Sequence, residues 1–249
     1  MANATVVDGV SRLLRFKLQS WNAFAPGLES HHAWREWLLH PSELPLELGK
    51  TSLKQIPPML RRRFTPLGRC AAGAAFPVLS DIDAIPGVFA SRHGDTPLTL
   101  SLLEGIANCE SMSPTGFSLA VHNALSGLLS IARKDVSEVT AIAATENLIP
   151  NALIEAATQL QERPRVLCVI YDVPLPELYQ AYSDSVDFPC AVAMILTLDE
   201  GDDFVIQREN SRNDTTHRDD FTGLLRILCG LEASASFVSD SSGWRVSRG

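Results

Sequence analysis

The 249 residues contain no CxxC pair, no Cys/His cluster, no Walker or GxGxxG glycine loop and no GxSxG elbow. Each absence removes a class of chemistry: thiolate metal and redox sites, nucleotide binding on a phosphate cradle, and serine hydrolysis from a strand-to-helix elbow. Positive charge is also short. Twenty-one Lys and Arg against 29 Asp and Glu leave a formal charge of -8, which disfavours nucleic acid and anionic membrane surfaces as partners. No segment approaches the roughly 18 uninterrupted apolar residues of a membrane span, and the N-terminus has no basic stretch leading into an apolar one. The five cysteines, Cys70, Cys109, Cys168, Cys190 and Cys229, are odd in number, widely spaced and mostly set in apolar sequence. Reduced, packed thiols in a cytoplasmic protein are expected, with no metal and no cofactor.

What is present is apolar and layered. At 45% hydrophobic, the chain can bury one sizeable core, so a single domain over 1–249 is expected, with 1–10 a loose leader and 208–220 a mobile loop. Alternation predicts a strand over Leu14 to Ala23, and the pattern after it predicts a short helix around Ala33 to Leu39. A helix is expected from Pro58 to Leu79, carrying the main basic cluster, Arg61-Arg62-Arg63, followed by a strand ending at Gly94 and a helix from Thr96 to Ala107 with Leu98, Leu100, Leu102, Leu103 and Ile106. Ser113-Pro114 opens a helix running to about Ala132. The stretch Val139 to Ala157 reads as a buried strand, a sharp turn and a helix. Strands follow at Arg165 to Tyr171, Cys190 to Leu198 and Phe204 to Gln207, then a helix from Phe221 to Leu231 and a last edge strand at Trp244 to Val246. Strands alternating with helices make the fold class α/β.

Ser118 and His122 lie one helical turn apart on this reading, a spacing that on an apolar helix serves packing or capping more often than a triad. His31 and His32, with His40, are adjacent in a polar segment and point in different directions, a poor metal set. Arg61, Arg62 and Arg63 read as a solvated face or as a docking patch for an acidic partner. Glu146, at the turn before a helix, reads as a favourable helix-start residue, and no histidine lies nearby in sequence to make it a general base.

Four stretches carry a family resemblance: Trp21-Asn-Ala-Phe-Ala-Pro-Gly27, Pro57-Pro-Met-Leu-Arg-Arg-Arg-Phe64, Val88-Phe-Ala-Ser-Arg-His-Gly94 and Met112-Ser-Pro-Thr-Gly-Phe-Ser-Leu-Ala-Val-His-Asn-Ala-Leu-Ser-Gly127. The last is similar to an SPTxFSxSVHNxxxG pattern, with Ala120 where serine is expected. Together they resemble the N-terminal half of a thiolase-fold β-ketoacyl synthase, and specifically the short chain-length-factor proteins of aryl polyene clusters. The resemblance places Ala143-Ala-Thr-Glu146-Asn147 at the active-site turn, so Glu146 stands where a ketosynthase carries its cysteine. The half that supplies the two catalytic histidines has no counterpart here, and His217 lies in a polar loop. A carboxylate cannot form the acyl thioester that condensation needs.

The resemblance therefore implies a non-catalytic subunit that pairs with a catalytic β-ketoacyl synthase, strand 138–144 and the helix after Ser113 forming the seam. It implies that Thr115, Gly116, Phe117 and Leu119 close the partner's acyl tunnel, and that His122 and Asn123 bond across helices or the seam. Arg61, Arg62 and Arg63 become a candidate docking patch for an acyl carrier protein. Two other readings stay open: an independent decarboxylase or hydrolase using Glu146 on carrier-bound acyl groups, and a purely structural stabiliser of the ketosynthase.

Overall fold

A computed structural model describes residues 13–48, 53–183, 185–209, 220–239 and 243–249. One eight-stranded sheet carries the fold. Its strands are β1 (Leu13–Phe24), β2 (Gly87–Ser91), β3 (Val139–Ala143), β4 (Arg165–Asp172), β5 (Cys190–Thr197), β6 (Asp202–Glu209), β7 (Ser234–Val238) and β8 (Gly243–Arg248), in the order β3-β2-β4-β5-β1-β6-β8-β7. β2 runs parallel to both β3 and β4, and every other pairing is antiparallel.

The central strands are buried on both faces, and their two-residue period divides them between two cores. From β4, Val166, Cys168 and Ile170 point into one core, and Leu167, Val169 and Tyr171 into the other. The first core is closed by α1 (His31–Leu39), α7 (Leu148–Gln159) and α9 (Asp220–Leu228). The second lies under α3 (Pro66–Val78) and α6 (Ala124–Arg133). Small residues on α3, including Ala71, Ala74 and Ala75, let that helix approach β1 and β5 closely. The remaining helices are α2 (Pro58–Arg61), α4 (Thr96–Ala107), α5 (Pro114–Leu119) and α8 (Glu177–Gln180). Among the described residues no helix is long and apolar enough to cross a membrane.

The fold is of the α/β class expected, with several corrections to its elements. The helix expected from Pro58 to Leu79 is two helices: Thr65 caps a new start at Pro66, its hydroxyl accepting from Gly68 N–H at 3.3 Å. The helix expected from Ser113 to Ala132 breaks at 120–123, between α5 and α6. Trp244 to Val246 is not an edge strand, because β8 is paired on both sides; the true edge is β7, whose alternating Ser234 to Val238 was the missed signal. Arg208 and Glu209 belong to β6 rather than to a loop, Asp220 opens α9, and 210–219 and the leader 1–10 lie outside the described residues. The largest correction concerns β3, expected to be buried. It is the edge of the sheet, and Val139, Ala141 and Ala143 are exposed.

Candidate functional site

A single buried acid anchors the edge formed by β3. Asp135 accepts from Ile85 N–H at 3.1 Å, just before β2, and from Ser137 N–H at 2.9 Å, just before β3. Arg133 lies 3.8 Å from the same carboxylate and donates to the carbonyls of Leu79 and Ile82. Burial works against the Asp135 charge, but the hydrogen bonds from Ser137 and Ile85 and the Arg133 cation hold its carboxyl below the usual range. Gly87 N–H donates to Glu138 O at 3.1 Å. Counting from there in the parallel register, alternate peptide groups face β2, and those of Val139, Ala141 and Ala143 face the open side. No described strand occupies that side.

Beside the edge stand α4 and α5. Asp95 caps α4, its carboxylate accepting from Leu98 N–H at 3.2 Å, and Pro97 sits in the first turn. The helix ends in a left-handed residue, Cys109 at φ 59°, with Cys109 N–H on Ile106 O and Glu110 N–H on Gly105 O. That is a Schellman closure, made here without glycine. Ser113 caps α5 in the same way as Asp95 caps α4, accepting from Gly116 N–H at 3.2 Å. No residue of α4 or α5 is buried. Leu103 and Ile106 are each 50% exposed and Phe117 63% exposed, and Val121, Ile131, Val136 and, on β3 itself, Val139 are exposed as well.

The sequence-derived residues separate in this setting. Thr115 and Phe117 are exposed, the Thr115 carbonyl accepting from Ser118 Oγ at 2.8 Å. Gly116 is a contact residue where α5 lies against α4: a Cβ there would come within 3.2 Å of Leu102 Cδ2, and that side chain would have to give by a few tenths of an ångström. Leu119 is half-buried against the second core. His122 is not one turn from Ser118 on a shared helix. It sits in the break between α5 and α6, its Nε2 2.7 Å from Ile142 O of β3. Its ring rests on Gly94, which is left-handed at φ 61° and where a Cβ would stand 3.0 Å from Nδ1. His122 thus ties the α5–α6 turn to the sheet edge, and glycine at 94 avoids both the cost of the left-handed backbone and the crowding of the ring. Asn123 heads α6 through its carbonyl, which accepts from Ser126 Oγ and Gly127 N–H, without a side-chain cap.

Glu146 is exposed and stands before the helix rather than in its first turn. The helix cap is Asn147, left-handed at φ 52°, whose Nδ2 donates to Ser239 Oγ at 2.9 Å. The turn is therefore sharp and pinned, and among the described residues Glu146 makes no side-chain bond to a thiol or an imidazole. Three of the cysteines elsewhere are unsuited to attack: burial pushes Cys70 well up, Cys168 to about 12 and Cys229 to about 11, and only a thiolate is nucleophilic. Arg61 turns inward, donating to Ile56 O at 2.8 Å, which leaves Arg62 and Arg63 as the exposed members of the basic run. His31 stacks on Trp21 at 3.9 Å between ring centroids.

Sequence reading missed two features. One is the buried pair Ser91 and Asp172 at the ends of β2 and β4: Ser91 Oγ donates to Asp172 at 2.9 Å and accepts from Gly94 N–H at 2.8 Å, fixing the loop on which His122 rests. Burial raises the Asp172 carboxyl even against the hydrogen bonds from Ser91 and Arg92. The other is α4 as part of the exposed surface. Its signal was present, since apolar residues all round a helix need cover on every side.

The family described as Beta-ketoacyl synthase, N-terminal domain, matches residues 34–247. Among solved structures, the chain is similar to one chain of the complex of the ketosynthase ApeO with its chain length factor ApeC from Xenorhabdus doucetiae. The two are 26% identical with a TM-score of 0.81, and the match covers 94% of this chain and 100% of that one. The ishigamide ketosynthase/chain length factor matches at 13% identity and TM-score 0.59, over 88% of this chain and 72% of that one. A beta-ketoacyl synthase from Burkholderia phymatum STM815 matches at 11% and 0.56, over 90% and 71%. These last two support the fold alone. No curated protein matches the sequence. With most of its length matched and its sheet and helices layered as in those structures, the chain belongs to the beta-ketoacyl synthase family, through its N-terminal domain.

Proposed function

We propose that this chain is the chain-length-factor-like, non-catalytic subunit of a two-chain ketosynthase. The observation that carries the reading is the set of uncovered apolar residues on α4, α5 and β3, the last of which is an edge unpaired among the described residues and tied to the α5–α6 turn by His122. Exposed apolar area of that kind marks an interaction face, and an open edge is a template for another strand. Likeness over the whole of a chain from a ketosynthase and chain length factor complex supports a ketosynthase as the occupant.

In this reading the partner supplies the thiol nucleophile and its imidazoles, and this chain supplies shape. Glu146 cannot hold an acyl group as a thioester. Phe117, projecting from α5, closes the partner's acyl pocket, with Thr115 and Gly116 beside it and Leu119 bracing it from behind. Each further two-carbon unit must displace that ring, at a steric cost a smaller residue would not impose. The His122 bond to Ile142 O holds the turn that presents this wall. Arg62 and Arg63, the exposed basic pair, are the positions at which an acidic acyl carrier protein would be felt.

The test is reconstitution with the β-ketoacyl synthase from the same genome, followed by product analysis. The pair is expected to make chains of defined length and neither subunit alone any, with Phe117→Ala lengthening the distribution. An unchanged distribution in Phe117→Ala would leave the chain a stabiliser only. Turnover of acyl or malonyl thioesters by the isolated chain, lost in Glu146→Gln, would replace the reading with an independent enzyme.

A further inference from the structure

The segment from His93 to Ala132 contains no lysine or arginine, and its acids are Asp95, Glu104 and Glu110. Asp95 is used internally as the cap of α4. Glu104 and Glu110 are exposed, and neither has an ion-pair partner among the described residues. Their placement works against the helix that carries them. The C-terminal end of a helix is its negative end and favours cations, yet the last turn of α4 holds Glu104 and no basic residue. The Schellman closure then folds Glu110 back over the same end, its Oε2 3.6 Å from where a Cβ on Gly105 would stand. Two carboxylates thus converge at the negative end of α4, beside Leu103 and Ile106. The cations that flank this segment in sequence are engaged elsewhere or distant: Arg92 lies beside Asp172, Arg133 is drawn inward by the carbonyls of Leu79 and Ile82 and by Asp135, and Lys134 lies past the far end of α6.

We infer that Glu104 and Glu110 are a partner-selecting rim, by which the apolar α4 arm docks in a cleft of the catalytic ketosynthase edged with lysine or arginine. The inference rests on the partnership proposed above and specifies the chemistry of the partner's surface. A second copy of this chain is a poor occupant, because a two-fold contact through this face would bring four carboxylates together with no cation from either arm. A basic cleft answers the carboxylates and the helix dipole at once. As rim charges, the two glutamates govern the rate of association and its salt dependence more than dissociation.

The experiment measures association of the intact chain with its ketosynthase, at low and high salt, for the wild type, Glu104→Gln/Glu110→Gln and Glu104→Lys/Glu110→Lys. Both sites are exposed, so the free variants should melt as the wild type does. The reversal is expected to slow association at low salt on the order of tenfold or more, the amide variant by less, and both differences should shrink as salt screens them. A wild-type complex whose association rate and salt slope are untouched by the reversal would overturn the inference and leave the partnership standing. The same result follows if sedimentation shows the isolated wild-type chain self-associating through this arm. Failure of the wild-type chain to bind any ketosynthase would bring down the partnership itself, and the rim with it.

Discussion

Two helices of equal length show how this chain divides its apolar residues. α7 and α4 each span 12 residues and each is rich in leucine, isoleucine and alanine. In α7, seven residues are buried, among them Leu148, Ile149, Leu153 and Ala156, packed on β2 and β4. In α4 none is, and its main contact within the chain is α5. Since composition does not separate the two helices, the difference lies in what covers them. α7 is covered by its own sheet, whereas α4 is left uncovered among the described residues, and in the proposed complex its cover comes from the ketosynthase.

Substitutions can break or sharpen that contrast. Leu153→Ala in α7 should cost about 2–5 kcal/mol of stability, read as a lowered melting temperature of the free chain, because it opens a cavity in a closed core. Leu103→Ala in α4 should leave that melting temperature nearly unchanged, within about 0.5 kcal/mol, and instead weaken binding to the ketosynthase by more than about 1 kcal/mol. Equal effects on the free chain would erase the distinction between the helices.

Asp135→Asn probes the internal anchor of the edge strand and should cost about 1–3 kcal/mol at neutral pH, since the amide cannot accept both backbone N–H groups and loses the Arg133 cation. Because the folded carboxyl lies below its unfolded value, the wild-type advantage is fully present above the ordinary aspartate range, near pH 4. It fades as the pH falls through the lower, folded value. Chemical denaturation of both proteins across that range reads it out. A smaller effect on the fold, and a larger one on assembly, is expected from Ala141→Pro. Its lost N–H faces the open side of β3, so the free chain should stay folded while complex formation fails, whereas Thr140→Pro should damage the internal ladder with β2.

The same contrast marks what the sequence could disclose. Elements held by local signals were legible: the leucine-rich pattern delimited α4 at Thr96 and Ala107, alternation delimited β1, and apolar runs delimited β4 and β5 to within a residue or two. Breaks imposed by tertiary contacts were not. The apolar pattern runs on through 120–123, but the chain turns there because His122 is bonded to Ile142 O, a partner twenty residues away in the sequence. β3 read as buried because its residues are apolar, and periodicity cannot say whether the cover belongs to the same chain. Arg61 resembled its neighbours in sequence and differs only because Ile56 O lies within reach. The turn at Glu146 was legible as a turn, while the left-handed residue that makes it, Asn147, was not singled out.

Backbone hydrogen exchange of the chain, free and mixed with its ketosynthase, tests the account most directly. Amides of Thr96 to Leu119 and of Val139, Ala141 and Ala143 should exchange readily in the free chain and become protected on mixing, while those of β4 and β5 stay protected throughout. Protection that appeared elsewhere on the surface, or no change at α4, α5 and β3 despite a formed complex, would contradict it.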